Sequence, residues 1–303
     1  MIKSQLISMA NAFVNEEFLE KNIKEYTSSY IDYKFNLSIE FAKITCIHFD
    51  IFRSNQDKTY KIKAMTIIEL IILASDILDD LQDKDTPKDT PWYKVDDGQN
   101  QNIIIGLLLI CLKKADDIGH EKDTKIIKKY INNYLLKSIG GQQMDLSNDL
   151  QNENDYIYMS YMKSGSLITI ACFLGAGGNI DKQISEKIDK YANYLGLIYQ
   201  LRNDLVDMKN GFIKSDLLFK KRTLPILYYL NTDDEAYRDI QDYYLNNSSD
   251  FDASMIHKDL LQEDALLYCS IVERIFIRKY QETIDQIDLS KKKKNILFDL
   301  LSN

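Results

Sequence analysis

Carboxylates spaced one helical turn apart are the chemically most pointed feature of this chain. Asp79 and Asp83 stand four residues apart, with Asp80 between them, in Ser75-Asp-Ile-Leu-Asp-Asp-Leu-Gln-Asp-Lys-Asp85. On a helix that spacing places Asp79 and Asp83 on one face, roughly 6 Å apart at Cβ. Asp76 and Asp80 form a second pair. Like charges placed this way destabilise a bare helix by ~0.2–0.5 kcal/mol per pair, and their concentration at one helix end calls for a cation. The pattern then returns: Asp79-Asp80-Leu81-Gln82-Asp83 and Asn203-Asp204-Leu205-Val206-Asp207 share [Asp/Asn]-Asp-Leu-x-Asp. Two such helices facing each other would bring five carboxylates and a carboxamide around one volume. Hard divalent cations take oxygen ligands, and Mg²⁺ combines a few carboxylates with waters and substrate phosphates. The pair therefore predicts a Mg²⁺-bridged site for a phosphorylated substrate. Either motif alone reads equally well as a solvated acidic helix end.

Basic residues follow the acidic ones closely. Gly211-Phe-Ile-Lys-Ser-Asp-Leu-Leu-Phe-Lys-Lys-Arg-Thr-Leu-Pro225 carries Lys214, Lys220, Lys221 and Arg222 just after Asp204 and Asp207. Such groups suit a diphosphate, whose oxygens can bond metal and ammonium together; a basic loop balancing nearby acids is the plainer alternative. Within Tyr161-Met-Lys-Ser-Gly-Ser166, Lys163 is set among Ile157, Leu167, Ile168 and Ile170. A charge in so apolar a helix fits a polar cavity, with Gly165 permitting close approach. In Gly140-Gly-Gln-Gln-Met-Asp-Leu146 the glycines each cost a helix ~1 kcal/mol relative to Ala, so they imply tight helix packing or ligand approach. Gln142 and Asp145 share a face there, as site residues or as a polar capping pair.

The elements that must position these groups read as helices throughout. Apolar residues recur at three- and four-residue spacing over Phe13–Tyr33 and Leu37–Phe52, the period of an amphipathic helix. A polar turn spans Arg53–Lys58. A long helix from about Thr59 to Asp83, with Ile67-Ile-Glu-Leu-Ile-Ile-Leu-Ala74 at its heart, delivers the first acidic motif. Pro87, Pro91 and Gly98 mark 86–99 as a loop. It holds the only tryptophan, Trp92, as a lid or as a packed anchor. Helices follow over Ile103–Lys114, Lys122–Leu146 and about Asp155–Leu174, the last ended by Gly175-Ala-Gly-Gly178. The run from Tyr191 delivers the second acidic motif. Asp233–Asn303 reads as three or four amphipathic helices, in which Lys291–Lys294 is a solvated face. No strand pattern is evident. The expected architecture is an all-α, single-domain bundle over 1–303 with the acidic motifs at matching depth above an apolar cavity.

Composition narrows the function classes. A net charge of −8 argues against nucleic-acid binding. Met1–Asn11 lacks the apolar core and small-residue site of a signal peptide, and no apolar run reaches the ~20 residues of a membrane span. Cys46, Cys111, Cys172 and Cys269 are dispersed among apolar residues, as expected of a reduced cytosolic protein without structural zinc.

Taken together, the motifs resemble those of the trans-isoprenyl diphosphate synthase family, the polyprenyl synthetases of the class I terpenoid fold. Asp79-Asp80-x-x-Asp83 matches the family's first Asp-rich motif, and Asp85 also satisfies a longer spacing used by some bacterial members. Gln142-Gln-Met-Asp145-Leu146 matches Gln-x-x-Asp-Leu, and Lys163-Ser164-Gly165 matches Lys-Thr-Gly/Ala. Tyr199-Gln200-Leu-Arg-Asn203-Asp204-Leu-Val-Asp207 matches Phe-Gln-x-x-Asp-Asp-x-x-Asp, with Asn203 in place of the first aspartate. Asp216-Leu-Leu-Phe-Lys220-Lys221-Arg-Thr223-Leu-Pro225 matches Asp-Leu-x-x-Gly-Lys-x-Thr-Leu-Pro, with Lys220 in the glycine's place.

The resemblance implies an isoprenoid synthase bundle around a central apolar cavity and a homodimer. It implies three Mg²⁺ ions on an allylic diphosphate, held by Asp79, Asp83 and Asp207 with Asp80, Asn203 and Asp204 in support. Lys163 and Lys221, flanked by Lys220 and Arg222, would bind the diphosphate. Gln200, Gln142 and Ser164 would stabilise the allylic cation. Ala74 and Ser75, small residues before the first motif, would leave the tail pocket open for a farnesyl-length or longer chain, with Asp145 also placed along it.

Chain-elongating members carry Gly-Gly-Lys-Arg-x-Arg-Pro before the first motif and Arg-Arg-Gly after it, for the isopentenyl diphosphate acceptor. The chain has His48-Phe-Asp-Ile-Phe-Arg-Ser-Asn-Gln-Asp-Lys58 and Asp85-Thr-Pro-Lys-Asp-Thr-Pro-Trp92-Tyr-Lys94 instead. In this it is similar to the ComQ-type isoprenyl transferases of Bacillus-like bacteria, which prenylate a tryptophan of a quorum-sensing pheromone precursor peptide. The expectation is a cytoplasmic enzyme, with attachment at the membrane surface left open. A chain-elongating synthase, a terpene synthase and a non-catalytic subunit are the alternatives.

Overall fold

In the computed structural model the described residues are 2–53, 57–84, 86–119, 121–209, 220–245 and 263–302. All regular structure among them is helical. The α-helices are α1 (Ile2–Glu17), α2 (Lys21–Leu37), α3 (Glu40–Phe52), α4 (Lys58–Asp83), α5 (Asp97–Lys114), α6 (Glu121–Ser147), α7 (Glu153–Ser160), α8 (Ser166–Ala176), α9 (Lys182–Lys209), α10 (Leu224–Asn231), α11 (Arg238–Leu245), α12 (Glu263–Asp285) and α13 (Lys291–Phe298). A 3₁₀ turn covers Pro91–Lys94, and a π turn, Tyr161–Gly165, joins α7 to α8. The chain divides into two compact units, 1–136 with 167–189 and 287–303, and 137–166 with 190–286.

The first unit is built on α4. Asp57 caps that helix by accepting from Thr59 N and Tyr60 N, both at 3.0 Å. Residues from Ala64 to Ala74 are buried without interruption, so this stretch of α4 is covered all round, and the helix packs against α1, α2, α3 and α5. One charge lies inside this run. The Glu69 carboxylate accepts from Ala42 N at 2.6 Å and so satisfies a backbone donor in the first turn of α3, which has no side-chain cap of its own. Burial pushes the Glu69 carboxyl up to about 7, against the pull of the Ala42 N–H and of Lys34. Further polar ties bind α3 and α4 to α8: Thr45 Oγ1 donates to Ala171 O at 2.9 Å and Tyr60 OH to Leu174 O at 2.7 Å. A Cβ at Gly175 would lie 2.2 Å from Thr45 O, so only glycine allows this approach.

The second unit gathers aromatic residues. Ile226, Tyr229, Tyr237, Ile240, Tyr244 and Ala265 form its core between α10, α11 and α12. Arg202 Nε, on α9, meets Glu273 Oε1 of α12 at 2.7 Å.

Several expected boundaries move. The helix expected over 13–33 is two helices, because Glu20 accepts from Ile23 N at 2.8 Å and starts α2 afresh; glutamate is an uncommon cap, which hides the break in the sequence. The expected loop 86–99 contains the 3₁₀ turn and ends early, where Asp96 caps α5. Against the expectation of no apolar run of membrane-spanning length, Glu153–Ala176 is long and apolar enough by length and composition to cross a membrane, with an 18-residue window of mean hydropathy 1.2. Of that window 61% is buried within the protein, the pattern of a core helix.

Candidate active site

The first acidic motif occupies the last turn of α4. Asp79, Asp80 and Asp83 are all partly exposed there, and the helix stops at Lys84, whose φ of 56° turns the chain away. Ala74 is buried and Ser75 partly so, with Ser75 Oγ bonded back to Ile71 O at 2.9 Å. Asp76 pairs with Lys34 of α2; burial raises the Asp76 carboxyl while the Lys34 ammonium opposes the rise.

Trp92 is the packed anchor of the two readings open in the sequence. Its indole is buried and its Nε1 donates to Asp80 Oδ2 at 2.7 Å. Asp85 lies outside the described residues.

In the second unit the glycines explain themselves. A Cβ on Gly141 would stand 2.2 Å from Lys163 N, and one on Gly196 would stand 2.4 Å from Gly165 Cα. Backbone contact of this kind sets α6 and α9 directly against the π turn. That turn carries Lys163 and Ser164, and π turns inserted in α-helices occur often at functional sites. Lys163 Nζ lies 2.7 Å from Asp145 Oδ2, and Lys221 Nζ lies 4.0 Å from the same oxygen. The predicted Lys163, Lys221 and Asp145 thus come together. Gln142 is partly buried one turn before Asp145 on α6.

Ser164, Gln200 and Asp204 form a chain of hydrogen bonds. Ser164 Oγ donates to Gln200 Oε1 at 2.6 Å, and Gln200 Nε2 donates to Asp204 Oδ1 at 2.9 Å. The other Asp204 oxygen accepts from Tyr156 OH at 2.7 Å. Tyr156 is fully buried; burial, and then the Asp204 charge, hold its phenol well above the ordinary range, so it is a fixed donor. Asp204 is buried, Asp207 partly exposed and Asn203 exposed.

Sequence reasoning missed Tyr156. It sits in an apolar helical run, and no spacing distinguishes it from a core aromatic.

The basic segment is described from Lys220 onward; Lys214 and Asp216 lie outside the described residues. Lys220 has φ 52°, the left-handed backbone that favours glycine, which is what the family pattern has at this place. Asn148 grips the turn, donating Nδ2 to Lys220 O at 2.6 Å and accepting from Arg222 N at 2.7 Å. The Lys220 ammonium lies 4.7 Å from the Tyr243 ring centre, and Arg222 Nη1 donates to Leu150 O at 2.9 Å.

Among the described residues no three His, Cys, Asp or Glu side chains form a ready-made metal site. The carboxylates of both motifs nevertheless fit Mg²⁺ in kind, because this ion keeps several waters and takes substrate phosphate oxygens beside one or two carboxylates.

The polyprenyl synthetase family model matches residues 37–260. The chain belongs to the polyprenyl synthetase family. It is also similar to the tryptophan prenyltransferase ComQ of Bacillus subtilis (strain 168), 28% identical over 297 residues that cover 95% of each chain. A tryptophan prenyltransferase ComQ from Bacillus subtilis subsp. natto is 28% identical over 299 residues, covering 95% of this chain and 89% of the relative. Among solved structures, the polyprenyl synthetase from Streptomyces coelicolor A3(2) has a TM-score of 0.81 at 18% identity, covering 99% of this chain and 96% of its own. A geranylgeranyl pyrophosphate synthase has a TM-score of 0.82 at 17% identity, covering 100% and 99%. These structural likenesses establish the isoprenoid synthase fold.

Proposed function

We propose that this chain is a Mg²⁺-dependent prenyltransferase that moves the prenyl group of an allylic isoprenyl diphosphate, of geranyl or farnesyl length, onto a tryptophan of a pheromone precursor peptide. The observation that carries this reading is the nearly end-to-end similarity to relatives named as tryptophan prenyltransferases. The absence from the sequence of the arginine segments that serve isopentenyl diphosphate supports it. We take 1–303 to work as one isoprenoid synthase domain, as a homodimer in the cytoplasm.

Bound Mg²⁺ would neutralise the charge that develops on the leaving diphosphate. The chain's own residues do the rest. Asp79, Asp83 and Asp207 would supply carboxylate oxygens to Mg²⁺, with Asp80, Asp204 and Asn203 in support. Lys163 and Lys221 meet the diphosphate oxygens as charge-assisted donors. The C1–O bond of the donor breaks with its electron pair leaving on the diphosphate. The indole supplies the pair for the new carbon–carbon bond and gives up a proton to the released diphosphate. Gln200, oriented between Ser164 and Asp204, and Gln142 present amide dipoles to the cation, a preorganised stabilisation that is worth more in a dry site than in water.

Mass spectrometry tests the reading. Incubation with farnesyl or geranyl diphosphate, Mg²⁺ and a tryptophan-bearing peptide is expected to add one prenyl mass to the peptide. The addition should vanish when the peptide tryptophan is replaced by alanine. Conversion of isopentenyl diphosphate to longer diphosphates with no peptide product would return the chain to the elongating synthases.

A further inference from the structure

Trp92 is the chain's only tryptophan, and the chemistry above makes no use of it. Its surroundings fix it from several sides. Tyr30 and Tyr33 of α2 meet the ring edge-on, with centroids 5.6 and 5.5 Å away. Its carbonyl accepts from Asn100 Nδ2 at 3.0 Å. Asn100 is fully buried and is held in turn by the Tyr30 hydroxyl, 2.7 Å from Oδ1. The indole N–H can only donate, and it ends on Asp80 Oδ2 at 2.7 Å. The Thr86 hydroxyl reaches the carbonyl of the same Asp80 at 3.2 Å. Ring and backbone are held by Tyr30, Tyr33 and Asn100, and the N–H they leave fixed in place ends on a carboxylate oxygen of the acidic motif.

Helical geometry gives this a purpose. Asp79 and Asp83 share a face, while Asp80 follows Asp79 by about 100° around the axis. To serve one cation with the other two, its side chain has to be held. We propose that Trp92 is the positioning residue for Asp80: the indole N–H fixes one carboxylate oxygen and so orients the group for a divalent cation bound at Asp79 and Asp83. Hydrogen-bond partners of this kind are worth about 10–100-fold in metal affinity. The inference rests on the reading of the motif as a cation site and is independent of the acceptor.

The test uses the intact protein with Mn²⁺ and inorganic diphosphate. Free Mn²⁺ is followed by electron paramagnetic resonance and the single tryptophan by its emission. In the parent, bound Mn²⁺ is expected to quench the emission with the midpoint that resonance reports. Trp92→Phe, which keeps the ring and loses the N–H, is expected to weaken Mn²⁺ binding by about tenfold. In an Asp80→Asn background the same change should shift the midpoint by less than about twofold, because the partner it acts through is already altered. Parent-like Mn²⁺ binding by Trp92→Phe, or an undiminished tenfold loss in the Asp80→Asn background, would overturn the proposal. If Trp92→Phe does not fold, the parent decides the matter: saturable Mn²⁺ binding without quenching contradicts the assignment. No Mn²⁺ binding at all would overturn both the proposal and the cation reading beneath it, whereas failure of peptide prenylation would leave these outcomes untouched.

Discussion

A buried carboxylate of an acidic motif is oriented by its donors, and Tyr156 and Gln200 donate to Asp204, one to each oxygen. Tyr156→Phe removes one of them without changing the packing. The loss of this hydrogen bond is expected to cost about 1–2 kcal/mol of stability, since it leaves a buried charged acceptor short of a partner. It is also expected to lower kcat/KM about tenfold, with a higher Mg²⁺ requirement, as loss of an outer-shell partner does elsewhere. Urea unfolding and a Mg²⁺ titration of turnover measure the two effects; an unchanged Mg²⁺ requirement would reduce Tyr156 to a core residue. Lys220 offers a contrasting case. Its left-handed backbone costs a residue with a Cβ roughly 1–2 kcal/mol. Lys220→Gly is expected to recover about 1 kcal/mol of this and to raise the melting temperature by about 2 °C. The family's preference for glycine at this position thus has a plain conformational cause.

At the scale of elements, α4 carries both the core of the first unit and the first acidic motif, and Glu69, buried in its middle, gives it a pH signature. Glu69 has its folded-state carboxyl raised to about 7 from an ordinary 4.5. Between those values the folded chain keeps a proton that the unfolded chain has released, so stability falls as pH rises through this window and levels off above it. Buried His48 works the other way. Burial lowers it to about 4 from 6.5, so its contribution is lost as pH falls below 6.5. Glu69→Gln keeps an acceptor for Ala42 N–H and has no proton to release. Its stability relative to the parent is expected to rise from pH 4.5 to pH 7, reaching on the order of 2 kcal/mol. Melting curves of the two proteins across that range test this, and a difference flat in pH would contradict it.

The helices that deliver the site were legible because their signals are strong: the apolar run Ile67–Ala74, the paired Asp-rich motifs, and the glycines of 140–141. The break at Glu20 and the π turn at Tyr161–Gly165 were not. The first depends on an unusual cap, and the second on contact with Gly196 and Asn193, residues about thirty positions away in the chain. The role of Trp92 was half legible. Its place in a loop was plain, but its hydrogen bond to Asp80 depends on Tyr30, Tyr33 and Asn100, none of which sequence spacing connects to it.

For the whole molecule, membership of the polyprenyl synthetase family leaves the choice of acceptor as what sets its activity apart. The acidic and basic motifs of the chain follow the family's pattern, while the segments on either side of the first acidic motif do not. An enzyme with that combination should ionise an allylic diphosphate yet give isopentenyl diphosphate little to bind. A competition measures this directly: labelled farnesyl diphosphate and Mg²⁺ are offered simultaneously to equal concentrations of isopentenyl diphosphate and a tryptophan-bearing precursor peptide. The label is expected to move to the peptide, at its tryptophan, with little or no longer diphosphate formed. Label appearing in a longer isoprenyl diphosphate while the peptide stays unmodified would contradict it.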